Sequence, residues 1–491
     1  MSKETGQEAA QDLELEKRID DWIRLHQDEL LADIALLVSI PSVATESAEP
    51  KVYGKACAEA LEAVLALGER YGFRTSNTDY RCGVIEGGGA GQRSVGIWGH
   101  TDVVPAGDGW VYPPFQSTRV GDFLIGRGVQ DNKGPVVAVL YALRCIRELG
   151  LPLRYMVKQI IGSAEEIGMG DAVYVVQHGD VPDFNIVADS GFPVCYGEKG
   201  LIQADLISPS LGGGAVLGFR AGSASNIVPG EAELTLRYDE GLGRRLQALP
   251  ETVTVTRVDA PGELPGDLGA VRLTARGIPG HAAFPSGSIN AIHVLLDAVL
   301  AAGLLDAGEA SAFRFIAAVC ATYDGAALGI ACADEVSGEL TCVGAIGSLV
   351  RGEARLNLNI RCPITADASV LLKALEQSAA GHGFTLDAVQ VNKGNRVDKD
   401  APEVRLLNDT FNRVMGTQKE PFVMGGGTYA RKLPHAVGFG PGMPADVSVL
   451  GLPEGHGQIH GPDEAQSIPN LLAALKVYVM ALLALNEWAE S

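Results

Sequence analysis

Residues 93–110 read RSVGIWGHTDVVPAGDGW, an apolar run that ends in polar residues and a bend rich in Gly and Pro. The apolar part predicts a buried β-strand over residues 93–100. His100 and Asp102 stand one residue apart at its end, and alternate strand residues point to the same face, so both side chains can address one centre. A strand-end histidine held only by hydrogen bonds is the alternative interpretation.

The segments around this strand alternate between helix and strand patterns. Helices are expected over residues 12–38, near 53–72 and over 133–150, and strands over 156–162 and 184–188. Such alternation is typical of an α/β fold with a mainly parallel sheet and helices on both faces. Ligands of such sheets gather at the carboxyl ends of the strands, which is where His100 lies.

Other polar residues follow the predicted strands or stand in glycine-flanked loops. They are Asp131 in GRGVQDNKGP, Glu165 and Glu166 in IIGSAEEIG, Asp189 in IVADSG and His460 in GQIHGPDEAQ. Taken alone, Asp131 fits an ordinary helix N-cap. Adjacent carboxylates after an apolar strand repel one another unless cations or a shared proton separate their roles. Two histidines and several carboxylates together predict a site for two cations of the zinc type.

The region over residues 196–395 has a different pattern. Short alternating strands, such as AELTLRY (232–238) and ARLNLNIRC (354–362), stand beside the helical stretch INAIHVLLDAVLAAGLL (289–305). We expect an α+β domain inserted into the first one, which then comprises residues 1–195 and 396–491.

Composition restricts the class of protein. The 491 residues are 46% hydrophobic and 20% charged, which is typical of a globular chain with two or three domains. The net charge of −21 disfavours nucleic acid and anionic membranes as partners. Because no apolar run reaches the ~20 residues of a membrane span and the N-terminus has no apolar segment of a signal peptide, a cytoplasmic location is expected.

The order of the motifs resembles a known family. H-x-D (100–102), D-N-K-G (131–134), E-E (165–166), D-S-G (189–191) and I-H-G-P-D-E (459–464) are similar to the motifs of the co-catalytic metallopeptidases. These include aminoacylases, carboxypeptidase G and succinyl-diaminopimelate desuccinylase, and the chain is most similar to peptidase V and related bacterial dipeptidases. The resemblance runs from SIPSV (39–43) to the terminal helix. It implies a di-metal catalytic domain with a lid over 196–395, and metal-dependent hydrolysis of small unblocked peptides.

The resemblance also implies roles for the strand-end residues. Glu165 is the expected general base for the water between the metals, and Asp102 is expected to orient His100. Zinc is the expected metal, with manganese as the alternative. The expected ligands are Asp131 as the bridge, His100 and Asp189 for one ion, and Glu166 and His460 for the other.

The inserted domain carries a second set of matching residues. The stretch GIPGHAAFPSGSINAI (277–292) resembles the family's lid motif and implies that His281 stabilises the tetrahedral oxyanion. Asn226 in SNIVPGEA and Arg361 in LNIRCP match substrate-orienting groups, and an arginine suits a bidentate grip on a carboxylate.

The stretch GGGTYAR (425–431) lacks the G-x-x-x-x-G-K-[ST] pattern of a phosphate loop, so nucleotide binding is disfavoured. The resemblance implies that the amides of Gly426 and Gly427, with Thr428, bind the C-terminal carboxylate of a peptide. Arg431 is expected to assist there or to brace the loop.

The lid length bears on the oligomeric state. An insertion of about 200 residues is as long as that of peptidase V, so a monomer is expected, with a homodimer as the alternative. The chain departs from the family at Asn132, where a second aspartate is usual, and at Cys362, where a tyrosine is frequent. Neither position is a predicted ligand.

Two other functions compete with dipeptide hydrolysis. An N-acyl amino acid amidohydrolase or desuccinylase uses the same metal chemistry. The difference lies in the pocket for the N-terminal end of the substrate: a free amine needs a carboxylate or carbonyl partner there, whereas a succinyl carboxylate needs an extra cation. A non-catalytic binding protein on the same fold is the more distant alternative, and the presence of all five expected ligands and Glu165 argues against it.

Overall fold

The computed structural model describes residues 4–46, 52–89, 91–258 and 269–490. The chain forms two compact units: unit 1 comprises Met1–Gly197, Arg396–Phe422 and Gly427–Ser491, and unit 2 comprises Glu198–Asn395 and Val423–Gly426. The boundaries predicted from the sequence lie after residue 195 and before residue 396, and the return of residues 423–426 to unit 2 was not predicted. The assignment of these regions as catalytic domain and lid stays a prediction.

The α-helices within the described residues include those expected over 12–38, near 53–72 and over 133–150. In chain order they are α1 (Glu4–Val38), α2 (Lys55–Arg70), α3 (Lys133–Glu148), α4 (Gly170–His178), α5 (Glu240–Arg245), α6 (Ala291–Ala301), α7 (Ala307–Val319), α8 (Ala368–Gly381), α9 (Pro402–Met415) and α10 (Ile468–Glu490).

The strands alternate with these helices in unit 1 and cluster in unit 2. In chain order they are β1 (Arg74–Thr78), β2 (Cys82–Glu86), β3 (Ser94–His100), β4 (Thr118–Val120), β5 (Phe123–Ile125), β6 (Met156–Gly162), β7 (Phe184–Val187), β8 (Ser190–Gly191), β9 (Cys195–Glu198), β10 (Gly200–Ile207), β11 (Val216–Ala221), β12 (Ile227–Val228), β13 (Glu231–Arg237), β14 (Val253–Val258), β15 (Ala270–Arg276), β16 (Gly280–His281), β17 (Ala333–Asp334), β18 (Gly338–Glu339), β19 (Thr341–Val350), β20 (Glu353–Cys362), β21 (Thr385–Asn392), β22 (Asn395–Arg396), β23 (Phe422–Met424), β24 (Ala436–Gly438), β25 (Pro441–Gly442) and β26 (Ala465–Ser467).

The main sheet of unit 1 runs in the order β1-β2-β6-β3-β7-β24-β9. Its central strands β6, β3, β7 and β24 pair in parallel, while β1, β2 and β9 join by antiparallel pairing. The predicted α/β fold with a mainly parallel central sheet is therefore confirmed. The antiparallel edges were not predicted, because the pairing of an edge strand leaves little trace in its own sequence.

Helices cover both faces of this sheet. A Cβ atom at Gly83 would meet Leu61 of α2, so this face of β2 packs on that helix. The neighbouring residue Cys82 points the other way and packs in one cluster with Trp98 of β3 and Val175 of α4. Because both faces are covered, the central strands are mostly buried and rich in apolar residues, as in β3, where only the first residue is not buried.

Helix α10 packs against α3 and α9. Among the described residues it is the one helix that is long and apolar enough to cross a membrane, but most of its apolar stretch is buried within the protein. Its composition therefore fits a core helix of unit 1.

Unit 2 contains an antiparallel sheet in the order β14-β15-β13-β11-β19-β20-β10-β21. Alternate residues of β10 are buried, and their core also takes Leu295 of α6, Phe313 of α7 and Leu375 of α8. An antiparallel sheet with helices on one face is the α+β architecture that the sequence pattern indicated.

Candidate metal centre

The carboxyl ends of three neighbouring strands position the first set of predicted residues. His100, the last residue of β3, lies opposite Gly162, the last residue of β6, and Asp189 follows β7 on the other side of β3. Backbone hydrogen bonds continue past the strands, from the Thr101 amide to the Gly162 carbonyl at 3.0 Å and from the Ala188 amide to the Trp98 carbonyl at 2.9 Å. The sheet register therefore brings these motifs to one edge.

Asp131 lies between two histidines, with one oxygen towards each. Nε2 of His100 is 3.0 Å from Oδ1 of Asp131 and 3.6 Å from Oδ2 of Asp189. Nε2 of His460 is 2.9 Å from Oδ2 of Asp131 and 3.2 Å from Oε1 of Glu166. The five predicted ligands thus form two adjacent donor sets that share Asp131.

The electrostatics of this cluster fit bound cations. Burial, together with neighbouring carboxylates, raises the pKa of Glu165 well above its usual range, and burial raises the pKa of Glu166 to about 7. Oε1 of Glu165 is buried and has no hydrogen-bond partner among the described residues. Donor atoms of His100, Asp131 and Glu166 lie within 4.8 Å of one another, as do those of His100, Glu165 and Asp189. Imidazole and carboxylate donors at this spacing suit divalent cations such as zinc.

The pKa values of both histidines are raised by the carboxylates around them. Burial alone lowers the pKa of His100, but hydrogen bonds to Asp102, Asp131 and Asp189 raise it well above its usual range. The same opposition of burial and carboxylate contacts raises the pKa of His460 to about 11. A cation bound at these residues would compete with protons for the two rings.

Asp102 is fully buried and supports two parts of the centre. Nδ1 of His100 lies 3.0 Å from the Asp102 carbonyl oxygen and 3.3 Å from its carboxylate Oδ1. The same carboxylate accepts the backbone N–H groups of Glu165 at 3.2 Å and Glu166 at 3.0 Å. The predicted role of Asp102 in orienting His100 stays a prediction, and its contacts with the two glutamates were not predicted.

Asn132, where the family usually has an aspartate, is also fully buried. Its Nδ2 donates to the Ala188 carbonyl at 2.7 Å and to Oδ1 of Asp189 at 3.2 Å, and its Oδ1 accepts the His100 amide N–H at 3.2 Å. An amide that both donates and accepts can make these three bonds, which an ionised aspartate cannot.

In unit 2, His281 and Asn226 are brought together by a short ladder. Ile227, next to Asn226, pairs with His281 between β12 and β16. The amide of Ala282 donates to the Asn226 carbonyl at 2.8 Å, and the amide of Ala283 donates to Nδ1 of His281 at 3.2 Å. These bonds fix the backbone on both sides of the His281 ring.

Arg361 lies beside this ladder within unit 2. Its Nε donates to Oδ1 of Asn359 at 2.8 Å, and its Nη1 donates to the Gly425 carbonyl at 3.1 Å. Thr341, its partner in the β19–β20 register, donates through its hydroxyl to the Ala282 carbonyl at 3.2 Å. Unit 2 therefore collects Asn226, His281, Arg361 and the start of the GGGTYAR segment in one region.

The rest of that segment belongs to unit 1. Thr428 caps the short helical turn Tyr429–Arg431, and its hydroxyl accepts the Ala430 amide N–H at 3.2 Å. A Cβ atom at Gly427 would overlap the guanidinium of Arg431, so this side chain packs directly on the glycine backbone. The packing fits a bracing role for Arg431.

Comparison with known proteins decides the family. Residues 96–484 match Peptidase_M20, described as Peptidase family M20/M25/M40. The chain belongs to this family. It is 32% identical over 471 residues to "Putative dipeptidase YtjP" of Bacillus subtilis (strain 168), covering 94% of this chain and 97% of that protein. It is 28% identical over 472 residues to "Putative dipeptidase SH1171" of Staphylococcus haemolyticus (strain JCSC1435), covering 94% and 98%.

Two solved structures share the fold. Human carnosine dipeptidase 1 matches with a TM-score of 0.57 and 16% identity, covering 96% of this chain and 99% of that one. The dipeptidase Dug1p of Saccharomyces cerevisiae matches with a TM-score of 0.57 and 13% identity, covering 96% and 98%. The predicted family and fold class are confirmed for this M20 chain, and the role of each site residue stays a prediction.

The M20 chain also contains a buried ion pair that sequence reasoning missed. Nη1 of Arg127 lies 2.7 Å from Oε2 of Glu464, and both side chains are almost completely buried. Oε1 of Glu464 accepts the amide N–H groups of Gly128, Gln130 and Asp131 at 3.1, 2.9 and 3.1 Å. The pair therefore holds the loop that carries Asp131.

Arg127 also reaches the second histidine of the centre. Its Nη2 donates to the His460 carbonyl at 3.2 Å, and His460 has a φ of 63°, in the left-handed region that is costly for a residue with a side chain. One buried pair thus fixes both Asp131 and His460. Arg127 lies in the segment GRGVQDNKGP and Glu464 in the segment GQIHGPDEAQ. Their opposite charges were the feature of the sequence that could have indicated the pair.

Proposed function

We propose that this M20 family member is a dipeptidase that hydrolyses the amide bond of small unblocked peptides with two divalent cations. The observation that supports this most is the position of Asp131, whose two oxygens face His100 with Asp189 on one side and His460 with Glu166 on the other. Relatives that are named putative dipeptidases support small peptides as the substrate class.

The two cations would be held by the shared carboxylate and two ligand sets. His100, Asp131 and Asp189 would bind one ion, and Asp131, Glu166 and His460 the other. Imidazole and carboxylate ligands favour zinc, with manganese as the second candidate. When bound, such a pair polarises the scissile carbonyl and brings the pKa of an attacking water to ~7.

Glu165 is the proposed general base. Its Oε1 is buried and has no protein partner among the described residues, so this oxygen is available to a substrate water. The carboxylate accepts the proton of the attacking water and donates it to the leaving amine. Asp102 takes part by accepting the backbone N–H groups of Glu165 and Glu166 and by contacting His100.

The remaining predicted residues bind the substrate in this proposal. His281 stabilises the oxyanion, while Asn226 and Arg361 orient the peptide. The C-terminal carboxylate is bound by the amides of Gly426 and Gly427 with Thr428, and Arg431 braces this segment by packing on Gly427.

Metal removal tests the proposal. Purified protein is treated with excess chelator, then reloaded with Zn²⁺ or Mn²⁺, and offered dipeptides beside N-acyl and N-succinyl amino acids, with products identified by mass spectrometry. We expect no hydrolysis in chelator and preferred cleavage of dipeptides after reloading. Full activity of metal-free protein contradicts the metal mechanism, and a preference for acylated substrates favours the amidohydrolase alternative.

We also propose that the enzyme is a monomer and is located in the cytoplasm. The length of the segment over residues 196–395 supports the monomer, and the burial of α10 within the protein supports a location away from membranes. Light scattering across a dilution series tests the first point: a dimer whose dissociation abolishes activity contradicts it.

A further inference from the structure

Two buried carboxylates hold the turn that carries Glu165. Oδ2 of Asp171 accepts the amide N–H groups of Ser163 at 2.7 Å and Ala164 at 2.9 Å. Asp102 accepts those of the next two residues, at 3.2 and 3.0 Å. Four consecutive backbone donors over 163–166 are therefore bound by two side chains, both fully buried.

Tyr429 completes the environment of Asp171. Its hydroxyl donates to the same Oδ2 at 2.5 Å, while Oδ1 of Asp171 accepts the Ala172 amide N–H at 2.8 Å. The Tyr429 ring is fully buried, with its centroid 5.7 Å from that of Trp98 and 6.4 Å from that of His100. The tyrosine thus ties the turn to the apolar cluster beneath the metal centre.

The strand before the turn leaves room for this pair. A Cβ atom at Gly162 would overlap both the Tyr429 hydroxyl and the Asp171 carboxylate. The end of β6 therefore requires glycine because the pair approaches its backbone closely. These hydrogen bonds and the close packing at Gly162 indicate that the turn has one well-defined position.

We propose that Asp171 and Tyr429 are positioning residues that set the place of Glu165 for proton transfer. This rests on the proposed role of Glu165 as general base. No described side chain holds the buried Oε1 of Glu165, so the position of this oxygen depends on the backbone of the turn. A displacement of about 1 Å at a reacting group costs ~10²-fold in rate, so a modest shift of the turn is enough to be measured.

The first test is Tyr429→Phe, which keeps the ring and removes the hydroxyl that donates to Asp171. We expect kcat to fall ~10–100-fold while KM and bound metal stay unchanged. Tyr155→Phe is the matched control, because the Tyr155 hydroxyl is equally buried and donates to the Leu482 carbonyl at 2.7 Å, away from the turn. Its kcat should equal that of the wild type.

A double-mutant cycle with Glu165→Gln separates positioning from general destabilisation. If Tyr429 acts through Glu165, adding Tyr429→Phe to Glu165→Gln lowers the residual rate by no more than about twofold. Equal losses in both backgrounds, or a normal kcat for a folded Tyr429→Phe, overturn the inference. A normal rate for Glu165→Gln alone overturns the proposed base instead. If Tyr429→Phe does not fold, Asp171→Asn replaces it in the double-mutant cycle with Glu165→Gln. Asparagine keeps the size of the side chain and one acceptor oxygen.

Discussion

The loop before Asp131 and the turn at Glu165 are both held by backbone N–H groups that donate to buried carboxylates, but the charges are balanced differently. Glu464, which holds the loop, is paired with the guanidinium of Arg127 at 2.7 Å. Asp171, which holds the turn, is hydrogen-bonded to amides and to a tyrosine hydroxyl. Burial raises the pKa of Asp171 to about 6, and nearby Asp102 adds to the rise. Burial also raises the pKa of Glu464, but there the guanidinium of Arg127 opposes the rise.

This difference separates two kinds of failure. Loss of the Arg127 guanidinium leaves the buried charge of Glu464 without its cation, so the free energy of unfolding and the metal affinity should both decrease. Loss of one donor at the turn leaves Asp171 with its remaining partners, so the fold survives and the position of Glu165 changes. The loop is therefore expected to control whether the metal centre forms. The turn is expected to control the catalytic rate of a centre that has formed.

The largest effect is expected from Arg127→Met. The free energy of unfolding should fall by ~3–5 kcal/mol because Glu464 stays buried without its partner. Metal content should fall as well, since the pair holds the Asp131 amide and the His460 carbonyl. Urea unfolding and elemental analysis measure the two quantities. The double variant Arg127→Met/Glu464→Gln should recover part of the stability, and an unchanged single variant contradicts the comparison.

A smaller effect is expected at the turn from Gly162→Ala. The added methyl overlaps Tyr429 and Asp171, which costs ~1–3 kcal/mol by overpacking. Because the turn must move, kcat should fall with metal content retained. Gly381→Ala in α8 serves as control, since its Cβ would meet nothing within 4 Å and the alanine favours the helix. Equal kcat in the two variants argues against a role for the packed turn.

The smallest effect is expected from an exposed ion pair. Nε of Arg74 lies 2.7 Å from Oε2 of Glu86, and the arginine side chain is 80% exposed. Arg74→Ala should change the free energy of unfolding by at most ~1 kcal/mol, because water screens the pair. Urea unfolding of Arg74→Ala and Arg127→Met compares the loss in free energy of unfolding for an exposed and a buried arginine. Similar losses in both variants remove the basis of the comparison.

The ends of the central strands could be predicted because the signal is local. The apolar run over 93–100 and the polar residues after it lie within a few positions of one another, and strands in parallel carry such ends to one edge. The family resemblance supplied the assignment of each ligand, which spacing alone left open.

The supports of the centre could not be predicted in the same way. Arg127 and Glu464 are 337 residues apart, and Asp171 and Tyr429 are 258 apart, so neither pair leaves a pattern within one segment. The return of residues 423–426 to unit 2 is equally a result of tertiary packing. Such contacts follow from the fold and not from local periodicity.

The central claim is that two adjacent glutamates have different tasks, with Glu165 as base and Glu166 as ligand. Glu165→Ala and Glu166→Ala are compared for metal content by elemental analysis and for initial rates on a good dipeptide, after both variants are shown to fold. We predict that Glu165→Ala keeps both metals and loses ~10²–10⁴-fold in rate, whereas Glu166→Ala loses metal. Equal metal loss in the two variants, or near-normal turnover by fully loaded Glu165→Ala, would contradict the account.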